Sequence, residues 1–214
     1  SPPLYLVLVG VAQALFSPSA AIQFVRVVQV LLATATCFFA YRLALKLTRR
    51  ENLGLLCALV TAISPVFIIE SAQILTETLF VFLLTGGIWL YVESITAQRR
   101  TFALLPLAAL LLGMATLTRA IILLFPFGRG LHLLLVYGWR RGLGRAAALL
   151  LVYALVVSTW TVYTVTQWNR FVIAGDGLPA FLYLGITGWT SAQQVDEQLA
   201  DDAGREVVHR QHEQ

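Results

Sequence analysis

Up to about residue 166 the chain is a succession of apolar runs, parted by short clusters of positive charge. The clusters are Lys46, Arg49 and Arg50; then Arg99 and Arg100; then Arg140, Arg141 and Arg145. Runs approaching the roughly 20 residues needed to cross about 30 Å of hydrocarbon restrict the fold severely. In lipid every backbone N–H and C=O must find its partner inside the protein, which a helix achieves alone and an open strand does not. The expected fold is therefore all-α, a polytopic transmembrane helical bundle. Basic residues in short loops stay on the cytoplasmic side. The clusters thus assign one membrane face and leave the few acidic and polar aromatic residues between them to the other.

Composition supports lipid as the solvent. Hydrophobic residues make up 58% and charged residues 12% of the chain, with a mean hydropathy of +0.78. A soluble domain carries about 25% charged residues. The net charge of +4 belongs to the loop clusters, so no nucleic-acid partner is expected. Cys37 and Cys57 lie inside apolar runs, with no CxxC pair or Cys/His cluster to suggest a disulfide framework or a zinc site. The start at Ser1 lacks the basic opening of a signal peptide, and the end at Gln214 falls in a polar stretch. Both ends read as cut, as in a piece of a larger membrane protein.

Residues 1–19 read as a short interfacial helix and turn, because 2–16 is too short to cross and Ser17-Pro18-Ser19 is a helix-start signal. Residues 20–166 form the transmembrane helical domain, with about six spans at 20–45, 53–69, 78–95, 102–117, 120–137 and 146–165. Residues 167–214 begin a non-cytoplasmic loop or domain, with a turn at Gly175-Asp176-Gly177 and a helix over 191–214. Both ends of the chain then face the non-cytoplasmic side, and an inner, plasma-membrane location is expected.

Charged residues inside or beside spans are costly and mark sites. Arg26 lies within the first span with Gln23 and Gln29 three residues away on either side, spacing that suggests one polar stripe. It also suits a hydrogen-bond patch or snorkelling to headgroups. Glu70 and Glu77 flank the next outer break, and Glu77 opens a helix where the dipole favours a carboxylate. Such a carboxylate can bind a divalent metal ion or the acceptor. Arg119 ends another span, where a guanidinium suits a lipid phosphate or ordinary headgroups. Arg129 sits between two glycines and can line a cavity, whereas His132 reads as a packed core residue.

Five segments in order carry a family likeness: PPLY at 2–5, SPSAAIQFVRVVQVLL at 17–32, SPVFIIESAQILTETLF at 64–80, GMATLTRAIILLFP at 113–126 and STWTVYTVTQWNRFVIAGDG at 158–177. Together they resemble the C-type-fold integral-membrane glycosyltransferases, in the protein O-mannosyltransferase and lipid A aminoarabinose transferase superfamily. The resemblance implies transfer of a sugar from a polyprenyl-phosphate-linked donor to an acceptor on the non-cytoplasmic face. It implies Arg119 and Arg26 as contacts for the donor phosphate, Glu77 as the second acidic position, and inverting transfer. The catalytic Asp it implies precedes the PPLY segment, so this fragment alone is expected to be inert. One departure is Tyr163-Thr164, where relatives commonly have Arg-Asn. Two other classes fit the composition: a transporter or lipid flippase, for which Arg129 is the best support, and a non-catalytic membrane scaffold. An upstream span followed by an Asp-bearing loop discriminates the enzyme from both.

Overall fold

The computed structural model describes residues 3–73, 76–96, 101–169 and 172–173, and all the regular structure among them is helical. Arg99 and Arg100, the Gly175-Asp176-Gly177 turn and the helix expected over 191–214 lie outside the described residues. Seven α-helices follow in order: α1 (Pro3–Leu15), α2 (Pro18–Thr48), α3 (Glu51–Ile63), α4 (Pro65–Ala72), α5 (Thr76–Thr96), α6 (Thr101–Thr118) and α7 (Phe125–Trp168), with a 3₁₀ turn at Ala120–Ile122.

By length and apolarity three runs can cross a membrane: Pro18–Thr48, Thr76–Thr96 and Ala120–Trp168. The last is not one rod. Gly138 has φ 72° and ψ 164°, and the chain reverses there. Gly142 lies against the backbone of Leu133 and Leu134, and Gly130 lies beside Ala146 and Leu150. These pairs are too far apart along a straight helix to touch, at about 1.5 Å per residue. The run is an antiparallel hairpin with limbs at 125–137 and 139–168.

Two expected crossings are interrupted. The 53–69 segment is broken where Ser64 takes extended angles (φ −61°, ψ 120°) ahead of Pro65, because proline pushes the preceding residue out of the helical region. The 120–137 segment begins with the 3₁₀ turn, and its helix starts only at Phe125. Helix α1 has 13 residues, about 20 Å, and packs on α2 through Ala12, Ala21 and Val25.

Helix α5 packs against both α2 and α6, and 39% of its most apolar window is buried, against 17% for α2. Its neighbours come close because side chains are missing at the contacts. A Cβ on Gly86 would meet the Phe39 ring at 2.9 Å, and one on Gly87 would meet Leu112 at 3.0 Å. Gly113 of α6 likewise faces Val156 at 2.8 Å. Small residues are how helices pack in lipid, where hydrophobic exclusion does not drive them together. The core around them includes Leu90, Leu105, Ala108, Ala109, Leu133, Leu149 and Val157. The outside is apolar as well: Ile121, Leu124, Leu135 and Leu151 are all exposed, as a lipid-facing surface requires.

The Lys46 Nζ–Glu93 Oε2 ion pair at 3.0 Å joins the ends of α2 and α5. The Tyr137 hydroxyl, beside the hairpin turn, donates to the Ile95 carbonyl at 3.1 Å. The first and third basic clusters therefore share one end of the bundle, as the spacing of the sequence predicts. Arg145 lies over the Tyr137 ring at 3.8 Å.

The hairpin makes a paired prediction. A Cβ at position 142 would fall 2.7 Å from the Leu133 carbonyl oxygen, whereas nothing lies within 4 Å of Gly144. Gly142→Ala should destabilise the protein by about 1–3 kcal/mol, the usual range for overpacking. Gly144→Ala should be neutral or slightly stabilising, and thermal unfolding in detergent compares the two.

Candidate functional site

At the end of the bundle opposite Lys46, α5 begins and α6 finishes. Glu77 sits in the first turn of α5, where the helix dipole favours its charge. Arg119 follows the last turn of α6 and takes extended angles (φ −147°, ψ 119°), while its N–H still bonds the Ala115 carbonyl at 2.8 Å. Antiparallel packing of α5 on α6 brings the two together. Arg119 Nη2 lies 3.2 Å from Glu77 Oε1, with the Arg119 side chain 47% exposed and that of Glu77 23% exposed. The Thr76 hydroxyl donates to Glu77 Oε2 at 3.3 Å. Both carboxylate oxygens are thus engaged, while the guanidinium remains half exposed.

Glu70 reaches this end through its backbone: the Thr78 hydroxyl donates to its carbonyl at 3.2 Å, tying α4 to α5. Among the described residues no group of three or more His, Cys, Asp or Glu side chains comes together. The ion pairs among them are Arg119–Glu77 and Lys46–Glu93, so Arg26 does not join Glu77 in this arrangement. Nor do Gln23, Arg26 and Gln29 make one stripe, since Gln29 is fully buried while Gln23 and Arg26 are exposed. Steps of three residues drift around a helix of 3.6 residues per turn, and over two steps the drift separates the faces.

One buried residue of α1 was passed over by sequence reasoning. Tyr5 of α1 is buried, and its hydroxyl has no hydrogen-bond partner among the described residues. Burial, and then the negative charge of Glu77, push its phenol above the ordinary 10.0. It is a neutral donor at physiological pH. The available signal was a tyrosine at the start of a short apolar helix, since buried tyrosines normally find a polar partner.

A second missed residue supports Arg119 from below. The Tyr153 hydroxyl donates to the Leu123 carbonyl at 3.0 Å and lies 3.1 Å from the Thr116 hydroxyl. It clamps both sides of the segment that carries Arg119. Thr116 and Thr118 are buried and donate to the Leu112 and Met114 carbonyls.

The remaining sequence candidates have structural partners. Arg129 lies over the Phe125 ring at 4.5 Å and the Tyr91 ring at 5.4 Å. The Tyr91 hydroxyl bonds the Arg129 carbonyl at 3.1 Å and His132 Nδ1 at 2.7 Å. His132 is exposed, which corrects its reading as a packed core residue: one edge meets Tyr91 and the rest faces outward. Tyr163 stacks on Trp160 at 5.4 Å and meets Trp168 at 5.6 Å, while the Thr164 hydroxyl bonds the Thr161 carbonyl at 3.0 Å. The Tyr163-Thr164 pair packs the end of α7.

Two outcomes are expected. Tyr153→Phe removes both clamp contacts and should lower thermal stability in detergent by about 1 kcal/mol, since polar contacts in membrane bundles average about 0.6 kcal/mol each. The raised Tyr5 pKa makes a contribution that is present below about pH 10 and lost as pH rises through the higher folded value. Stability should therefore fall above pH 10, and Tyr5→Phe should make that fall shallower.

No curated protein and no solved structure matches the chain. The sequence model of the dolichyl-phosphate-mannose-protein mannosyltransferase family matches residues 1–163, which include Tyr5, Glu77, Arg119 and Tyr153. A match over most of the chain, on an apolar helical bundle, makes this protein an integral-membrane glycosyltransferase of the dolichyl-phosphate-mannose-protein mannosyltransferase family.

Proposed function

We propose that the Glu77–Arg119 end of the bundle binds the phosphate of a polyprenyl-phosphate-linked sugar, and that the sugar passes from it to an acceptor on the non-cytoplasmic face. The observation that carries this reading is the ion pair at 3.2 Å with its guanidinium still half exposed. Arginine recognises phosphate through paired N–H donors. Glu77 holds Arg119 at the end of α6 and leaves part of its fork for the donor. Placing this end on the non-cytoplasmic side follows the rule that basic loops stay inside, with the Lys46 and Arg140 clusters at the opposite end.

In such a transfer the acceptor hydroxyl loses its proton and attacks the sugar C1, while the bond from C1 to the phosphate oxygen breaks. The polyprenyl phosphate departs with the electron pair and an added negative charge. Arg119 stabilises that charge as it develops. Glu77, tied to Arg119 and Thr76, acts as the positioning carboxylate. The resemblance gives the base that accepts the proton to an Asp preceding the PPLY segment. Arg26, exposed on α2, is the second cation proposed for the phosphate. A divalent ion at this end would draw on Glu77 and compete with Arg119 for it.

The test is transfer of radiolabelled mannose from a polyprenyl-phosphate donor, in membranes containing the full-length protein. Arg119→Ala should lower transfer by about 10²-fold, the usual effect of removing one charge-stabilising donor. Arg119→Lys should recover only part, because an ammonium lacks the planar fork. Glu77→Gln should raise the KM for donor more than it lowers kcat. Full activity in Arg119→Ala would remove the phosphate assignment. A chelator arm in the same assay separates a metal-dependent reaction from one carried by Arg119.

A further inference from the structure

At the other end of the bundle a second charged site is left over by the transfer chemistry. Arg42, Lys46 and Arg49 follow at steps of four and three residues, which places them on one face of α2. With Leu45, Glu93 and Thr96 they line a cavity of about 500 Å³ between α2 and α5. Arg42 is held among aromatic rings, 5.9 Å from the Phe38 centroid and 5.8 Å from that of Trp89. Lys46 pairs with Glu93 at 3.0 Å, their side chains 34% and 24% exposed. Arg49 ends α2 in the left-handed conformation (φ 57°, ψ 22°), its N–H bonded to the Leu45 carbonyl at 2.8 Å.

Among the described residues, three cations and one carboxylate thus line a single cleft. Like charges one turn apart on a helix repel, and Glu93 neutralises only one of them. The excess positive charge lies at the end of α2, whose flanks carry exposed Leu, Val and Phe side chains, and basic residues at the end of a lipid-facing helix meet the headgroup layer. Basic clefts between helices at a membrane face take anionic headgroups.

We propose that the Arg42–Lys46–Arg49 cleft binds the headgroup phosphate of an anionic phospholipid. Arg42 and Arg49 grip the phosphate from two levels of α2, and Glu93 holds Lys46 between them while competing with the lipid for its charge. This proposal is independent of the transfer reaction.

The test is native mass spectrometry of the full-length protein in detergent, titrated with phosphatidylglycerol, with phosphatidylcholine or with inorganic phosphate. Phosphatidylglycerol should be retained in preference to phosphatidylcholine. Arg42→Gln and Arg49→Gln should each weaken its retention about fivefold, the equivalent of about 1 kcal/mol per cation. Arg140→Gln, with the same change of net charge at the hairpin turn, should leave retention unchanged. Glu93→Gln removes the competing carboxylate and should strengthen retention, a sign that general damage to the fold would not produce. Equal loss in Arg140→Gln would overturn the proposal in favour of general attraction. Displacement of the lipid by millimolar inorganic phosphate would overturn it in favour of a free-anion site. Unchanged or weaker retention in Glu93→Gln would also overturn it.

Discussion

Every other feature of this protein depends on where charge can go when the solvent is lipid. Backbone polar groups must be satisfied within each helix, and an ionised side chain in hydrocarbon costs several kcal/mol. Both ion pairs obey this. Arg119–Glu77 closes one end of the α5–α6 contact, and Lys46–Glu93 closes the other end of the α2–α5 contact. Between them, among the described residues, the polar contacts include tyrosine and threonine hydroxyls donating to carbonyls, and Arg129 lying on aromatic faces.

Close packing turns these ends into defined sites. Exposed ion pairs contribute only about 0–1 kcal/mol each, so the Glu77–Arg119 pair cannot itself hold α5 against α6. The contact at Gly87 and Leu112, with Ala108 and Ala109 fully buried nearby, does that. The second limb of α7 adds Val156 against Gly113 and the Tyr153 clamp on Thr116 and Leu123. Arg119 is thus placed by residues one to three turns away from it. The proposed transfer would need that rigidity, because a guanidinium stabilises a departing phosphate only if it already points at it.

Much of the fold was legible because lipid imposes simple rules. Apolar runs and basic loops identified a helical bundle and put the Lys46 and Arg140 clusters at one end, where the Lys46–Glu93 and Tyr137–Ile95 contacts place them. The Ser64-Pro65 break was readable in principle, since proline restricts the residue before it, but a continuous apolar count passes over it. The stripe expected through Gln23, Arg26 and Gln29 failed for another reason. Three-residue spacing drifts around the helix, and which neighbour covers which part is not written in α2 alone.

The sequence by itself determined the solvent, the helical class and the candidacy of Glu77 and Arg119, because hydropathy and charge are local properties. Only the tertiary structure decided that these two residues, 42 positions apart in the chain, form one pair. The same holds for the burial of Tyr5, for His132 facing outward, and for Tyr153 holding the Arg119 segment. Each depends on which helix faces lie against each other. That is set by steric fit at small residues such as Gly87, Gly113 and Gly142, a sum over both partners that neither segment carries alone.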